Sequence, residues 1–314
     1  MAFEDDLGLD PSQARTGSYE VSATGLVSRT FNLWTRKLVQ YIIIVGLAGV
    51  ALAVASFLIL SVIFGLIGTI ATNPLSYIFN LFSFSTLPIV DLIIVSVVFA
   101  TVAFIVNAWI TGAGTKFALD DYGGEQVADV GTSFSYATGK TLNIILVRII
   151  TTILVTGVLT PAFILFARAL AGIDISDPFN PIISPGAMET MLAAMGYLFI
   201  GGLFALYISI RFAPVTAIVV DTDLSAIDSL RKSWELTSGN VFHVFGGMFL
   251  VGIVIAVIEF AVTSLLWFSP YYLVVQVIIS SLLFTAIQVV FTVVLYRDLS
   301  SRRGDSSLDS LMVG

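Results

Sequence analysis

The sequence predicts an all-α integral membrane protein of six transmembrane helices, arranged as three pseudo-repeated hairpins, each preceded by an amphipathic interfacial helix. Three observations carry this expectation. Of the 314 residues, 57% are hydrophobic and only 11% are charged, far from the roughly 25% charged residues of an average soluble domain, and mean hydropathy is +1.01. Six apolar runs reach the about 20 residues that a helix needs to cross a bilayer. A short pattern of aromatic, hydroxyl and basic residues recurs ahead of every second run.

The chain opens on "MAFEDDLGLDPSQARTGSYE", an acidic, polar stretch without the basic start, short apolar core and small-residue cleavage site of a secretory leader. Residues 1–22 therefore read as a disordered cytoplasmic tail, 23–299 as the membrane domain, and 300–314 as a second disordered tail. The expected spans are Val39 to Ala71, Ile89 to Gly112, Thr141 to Leu165, Thr190 to Ile210, Val241 to Phe260 and Tyr271 to Tyr296. The first is too long to cross upright, so tilt, a break near Gly65 or a protruding end must absorb the excess.

Lysine and arginine fix the expected orientation, because short connections rich in them stay cytoplasmic. They fall in the N-terminal arm, in the two connections that lead from an even to an odd span, and after the last span. The other three connections, "TNPLSYIFNLFSFSTLP", "GIDISDPFNPIISPGAM" and "WFSPYY", hold none. Both termini are thus expected in the cytoplasm of a cell-membrane protein. Net charge is −7, a balance that argues against nucleic acid, whose binding is dominated by basic residues on phosphates. There is no cysteine and one histidine, so the sequence calls for no metal site and no cofactor.

The recurring pattern joins "FNLWTRK" (31–37), "FSYATGK" (134–140) and "WELTSGN" (234–240). Its aromatic is Phe31, Phe134 or Trp234, its hydroxyl Thr35, Thr138 or Ser238, and its last residue Lys37, Lys140 or Asn240. In the third copy Leu224, Ile227, Leu230 and Trp234 are expected to share one stripe. Ser225 with Asp228 resembles a capping box, and Gly239 offers the left-handed turn that ends a helix. Such a helix belongs in the plane of the interface.

The stretch "APVTAIVVDTDLSAIDSLRKSWELTSGNVFHVFGGMFL", with "TVVLYRDLSSRRGD" near the end, resembles the membrane domain found with glycerophosphoryl diester phosphodiesterases and related six-helix membrane proteins of uncharacterised function. The matching positions are Ala226, Ser233, Leu236 and Gly239, then Leu295, Tyr296, Asp298, Leu299 and Arg302. The resemblance implies a fold and a membrane setting. It does not bring the enzyme activity, because the catalytic part of those phosphodiesterases is a separate soluble barrel using His, Glu and a divalent metal.

Ionisable residues inside spans are functional candidates. Arg148 lies about 12 Å into its helix from Lys140, within snorkelling reach of the surface, and reads as an anchor or as half of an internal ion pair. Glu259 and Arg168 fall near the opposite surface, either pairing across an outward cavity or standing hydrated at the headgroups. His243 reads as an interfacial anchor, since no Ser, Asp or Glu sits near it at helical spacing. Asn107, Thr151, Thr152, Thr156 and Gln288 read as interhelical hydrogen-bond partners, or alternatively as a polar pathway. No catalytic constellation is visible. The expected function is a non-enzymatic scaffold, lipid-organising or accessory component, in contact with the lipid bilayer and with membrane-protein partners or a second copy of itself. The alternative is a small-solute or lipid transporter.

Overall fold

In the computed structural model the described residues are 23–46, 50, 89–124, 128–174, 182–266 and 272–302. The N-terminal tail, residues 303–314 and most of the first expected span lie outside them, while the first three residues of the expected C-terminal tail are the end of the last helix. Helix α1 is Ala23–Arg36, followed by the short α2, Leu38–Tyr41, and a π-helical turn, Ile42–Gly46. Then come α3, Ile89–Gly123, α4, Val130–Ala171, α5, Pro185–Phe212, and α6, Val215–Asp221. Helix α7 is Ala226–Thr237, α8 is Val241–Leu266, and α9 is Tyr272–Arg302. A two-residue antiparallel pairing of Ile173–Asp174 with Ile182–Ile183 ties together the connection between α4 and α5.

Among the described residues, five helices are long and apolar enough to cross a membrane: Val97–Gly123, Val130–Ala171, Pro185–Asp221, Val241–Leu265 and Ser281–Arg302. They contain the third to fifth expected spans and overlap the second and the sixth, and several run past the apolar residues into polar turns. Helix α4 is the extreme case, with 42 residues and a length of about 60 Å. Large apolar side chains such as Phe199, Phe260 and Leu265 point away from the protein, as befits a multi-pass protein whose solvent is lipid.

The three expected elbows differ in build. In the third, Ser225 caps α7, its hydroxyl oxygen accepting from the Asp228 N–H at 3.2 Å; the hydroxyl also donates to the Asp228 carboxylate at 2.6 Å. Gly239 takes φ +82° and turns the chain into α8. In the first, the break falls at Lys37, with φ −129° and ψ 40°. The second does not break: α4 begins at Asp129, whose carboxylate accepts from the Thr132 N–H at 2.8 Å, and runs through Gly139 into the span. Nothing between Val130 and Thr141 obstructs helical hydrogen bonding, since a lone glycine weakens a helix without ending it.

The stripe expected on α7 is also shifted. Its buried residues are Ala226, Ser229, Leu230, Ser233, Leu236 and Thr237, whereas Ile227 and Trp234 are 65% and 41% exposed. Small hydroxyl residues face inward because α7 lies close against α5, and the Ser233 hydroxyl donates to the Arg211 carbonyl at 2.8 Å. The bulky apolar residues are left on the outer face, free to enter lipid.

The densest packing lies at the end of the bundle that carries the basic residues. Helix α6 buries Val215, Ala217, Ile218, Val219 and Val220. The same buried core includes Phe117 of α3, Leu26 of α1 and Val294 and Leu295 of α9. Along α4 and α5, a Cβ added to Gly201 would stand 3.2 Å from the Val158 carbonyl oxygen, so this glycine sets how closely the two helices meet.

Candidate functional site

Between α3, α4, α5, α6, α8 and α9 lies a cavity of about 550 Å³, within the range of roughly 300 to 1,000 Å³ that small-molecule sites occupy. Its polar lining follows from helical spacing. On α4, Arg148, Thr151, Thr152 and Thr156 stand at i, i+3, i+4 and i+8, one face of an otherwise apolar helix. On α3, Asn107, Thr111 and Thr115 repeat every fourth residue, and on α9 Thr285, Gln288 and Thr292 form a third stripe. Ser209 and Thr216 close the side made by α5 and α6. Because α6 itself is buried, it forms an apolar floor toward the basic end of the bundle.

Among the described residues, Arg148 is the one charged side chain lining this cavity. It donates to the Asn107 side-chain carbonyl, so the structure joins two of the residues singled out by sequence. Most of the lining hydroxyls donate back to the carbonyl four residues earlier on their own helix. Thr111 bonds the Asn107 carbonyl at 2.7 Å, Thr151 that of Val147 at 2.9 Å, and Thr292 that of Gln288 at 2.9 Å. This satisfies each hydroxyl proton within the helix and leaves oxygen lone pairs toward the cavity. Thr111, Thr115, Ser209, Thr216, Thr285 and Thr292 were not among the sequence candidates. The available signal was their register, since each stripe is a single helical face.

Arg168 and Glu259 are not brought to this cavity. Arg168 is exposed on α4, and Glu259 lies between α8 and α9 beside Ile255 and Leu283. No ion pair between them occurs among the described residues.

The basic end is organised by aspartates. Lys37 reaches Asp121 at 2.9 Å, Lys140 reaches Asp223 at 2.7 Å, and His243 Nε2 lies 3.0 Å from Asp298 Oδ2. In each case a cationic or basic group near the start of an expected odd-numbered span meets an aspartate beyond the apolar part of the following described helix. Asp121 and Asp298 are almost fully buried, at 4% and 1% exposure. Asp121 also accepts from Arg36 at 2.6 Å and from the Tyr41 hydroxyl at 3.1 Å. Asp298 also meets Arg29 at 3.4 Å and Arg302 at 3.3 Å. His243 is thus oriented by a carboxylate 55 residues away, which no search at helical spacing could find. Asp223 is solvent-exposed, and the hydrogen bond from Lys140, reinforced by its charge, holds the carboxyl below its ordinary value.

Two of the three expected elbow aromatics meet a helix that precedes them in the chain. Phe134 packs against Trp109 with ring centres 4.9 Å apart, and the Trp109 indole N–H donates to Thr138 at 3.2 Å. Trp234 meets Tyr207 and Phe212, both at 5.9 Å, and the Arg211 guanidinium lies 4.5 Å over its ring. Phe31 packs edge-on against Trp34 within α1. Asn240 serves through its backbone, its N–H donating to Thr237 at 3.1 Å and its carbonyl accepting from Val244 at 2.9 Å.

Among the described residues no group of three or more His, Cys, Asp or Glu is placed to hold a metal ion. Comparison with protein-family models, curated proteins and solved structures finds no match.

Proposed function

We propose that the protein is a membrane permease that binds a small polar solute in the chamber between its spans. The observation that carries this reading is the 550 Å³ cavity bordered by Arg148, Asn107 and aligned threonines. Polar and ionisable side chains facing the interior of a membrane bundle are costly, and they recur where a substrate or ion must pass. A scaffold expected from composition alone would need only close packing, as at Gly201, and gains nothing from a polar void of this size. The positions of lysine and arginine support placing both termini in the cytoplasm, which puts α6 at the cytoplasmic floor of the chamber.

The test is transport by the purified full chain in proteoliposomes, using radiolabelled acetate, inorganic phosphate, glycerol and choline as probes. The expected result is saturable uptake of at least one probe above protein-free vesicles, strongly reduced by Thr151→Trp, whose indole intrudes into the chamber beside Arg148. Uptake equal to that of protein-free vesicles for all four would contradict the permease reading.

A further inference from the structure

We infer that the chamber is an anion site, in which the Arg148 guanidinium holds a small carboxylate or phosphate group. This rests on the permease reading and names the class of its substrate. The first support is an asymmetry of charge. At the basic end of the bundle Arg36, Lys37, Lys140 and Arg297 each have an aspartate partner, whereas Arg148 has none among the described residues, and no acidic side chain lines the cavity.

The second support is unused hydrogen-bonding capacity. A guanidinium carries five N–H donors in a planar fork, and Asn107 takes one arm of it. Gln288, Thr152 and Thr216 line the same cavity, and no hydrogen bond of their side chains occurs among the described residues. Together these groups offer several donors around one cation, the chemistry that binds a planar carboxylate or a phosphate bidentately. Asn107 then acts as a positioning residue, its carbonyl fixing one face of the guanidinium while the rest faces the chamber.

The anion also settles an electrostatic problem. An unneutralised guanidinium between membrane spans is expensive, and the described residues of the cavity lining include no carboxylate to neutralise it. A bound anion supplies that charge, and its release as the chamber opens would restore the cost. The free anion and the phosphate of an anionic lipid share this chemistry, so both sources enter the test.

The chain has no native cysteine, so Thr151→Cys places a single thiol in the chamber. In nanodiscs of phosphatidylcholine its reaction rates with anionic sulfonatoethyl and cationic trimethylammonioethyl methanethiosulfonate are compared, each normalised to a free thiol. A unit charge within about 8 Å at an effective dielectric near 20 shifts such a ratio by more than tenfold, so the anionic reagent is expected to lead by about that factor. Arg148→Gln should remove the preference, Arg148→Lys should keep most of it, and Gln288→Glu, with Arg148 intact, should cancel it. Free inorganic phosphate or acetate should slow labelling at least twofold when Arg148 is present and not in Arg148→Gln. Replacing part of the phosphatidylcholine by phosphatidylglycerol, without free anion, assigns the site to a lipid headgroup if that change alone protects.

Reaction of both reagents at equal normalised rates, or a preference indifferent to Arg148, or a charge preference with no protection by any of these anions, overturns the anion site and leaves the chamber standing. Failure of both reagents to react overturns the chamber itself.

Discussion

At the residue scale, the most consequential side chains are two buried aspartates. Asp298 gathers Arg29, His243 and Arg302, and Asp121 gathers Arg36, Lys37 and Tyr41. Removing one partner of a buried ionic cluster strands the others without solvation, at a cost of about 3 kcal/mol or more. Asp298→Ala is therefore expected to lower the detergent-solubilised melting temperature by several degrees, and His243→Gln, which leaves both arginines on the carboxylate, by clearly less. Equal losses would show that the histidine, and not the arginines, holds the cluster. The exposed Lys140 to Asp223 pair behaves differently. Its folded-state pKa is depressed by the Lys140 hydrogen bond and charge, so its contribution is present above the ordinary carboxyl value of about 3.9 and fades as pH falls through the lower folded value. Carbon-detected titration of the Asp223 carboxyl should give a midpoint below that ordinary value, and Lys140→Gln should return it there. These partnerships were illegible in the sequence because they join residues as far apart as 269 positions, and no local spacing encodes them.

At the element scale, two glycines that the sequence pattern aligns take different backbone conformations. Gly239 sits at φ +82° and ends α7, while its counterpart Gly139 is inside α4 with open space where a Cβ would stand. Gly239→Ala is expected to cost about 1 kcal/mol, since an L-residue resists the left-handed region. Gly139→Ala is expected to stabilise by about 0.5 kcal/mol or more, by removing the entropic penalty of a helical glycine. Thermal melts of the two single variants should move in opposite directions; a shift of the same sign would mean that the second elbow breaks as the third does. The cap at Ser225 and the stop at Gly239 were readable from their residues. What the pattern could not reveal is continuity, because a glycine beside a hydroxyl fits both a helix end and a helix interior, and neighbours decide between them. The same limit divided the expected stripe of α7: Ile227 and Trp234 stay on the outer face, as an interfacial helix requires, while Leu230 turns inward beside Ser229 and Ser233.

At the scale of the whole molecule, hydropathy located the apolar cores of the five described spans, because length and composition alone decide whether a helix can cross a bilayer. The chamber was half legible. Arg148, Asn107, Thr151, Thr152, Thr156 and Gln288 each stood out as polar residues within spans, and their helical register would have drawn three of the stripes. Their convergence on one void depends on how the helices are arranged around it, which periodicity along a single helix does not specify. Composition alone does not foretell that the described helices border a cavity carrying aligned polar stripes beside Arg148, or that the basic residues gather on aspartates. The measurement that tests this most directly is the rate at which neutral hydroxyethyl methanethiosulfonate modifies a single cysteine at Thr151, against one at the outward-facing Phe199, in lipid nanodiscs. The thiol must ionise in water to react, so the account predicts a rate at Thr151→Cys at least tenfold above that at Phe199→Cys, and equally slow reaction at both positions would contradict it.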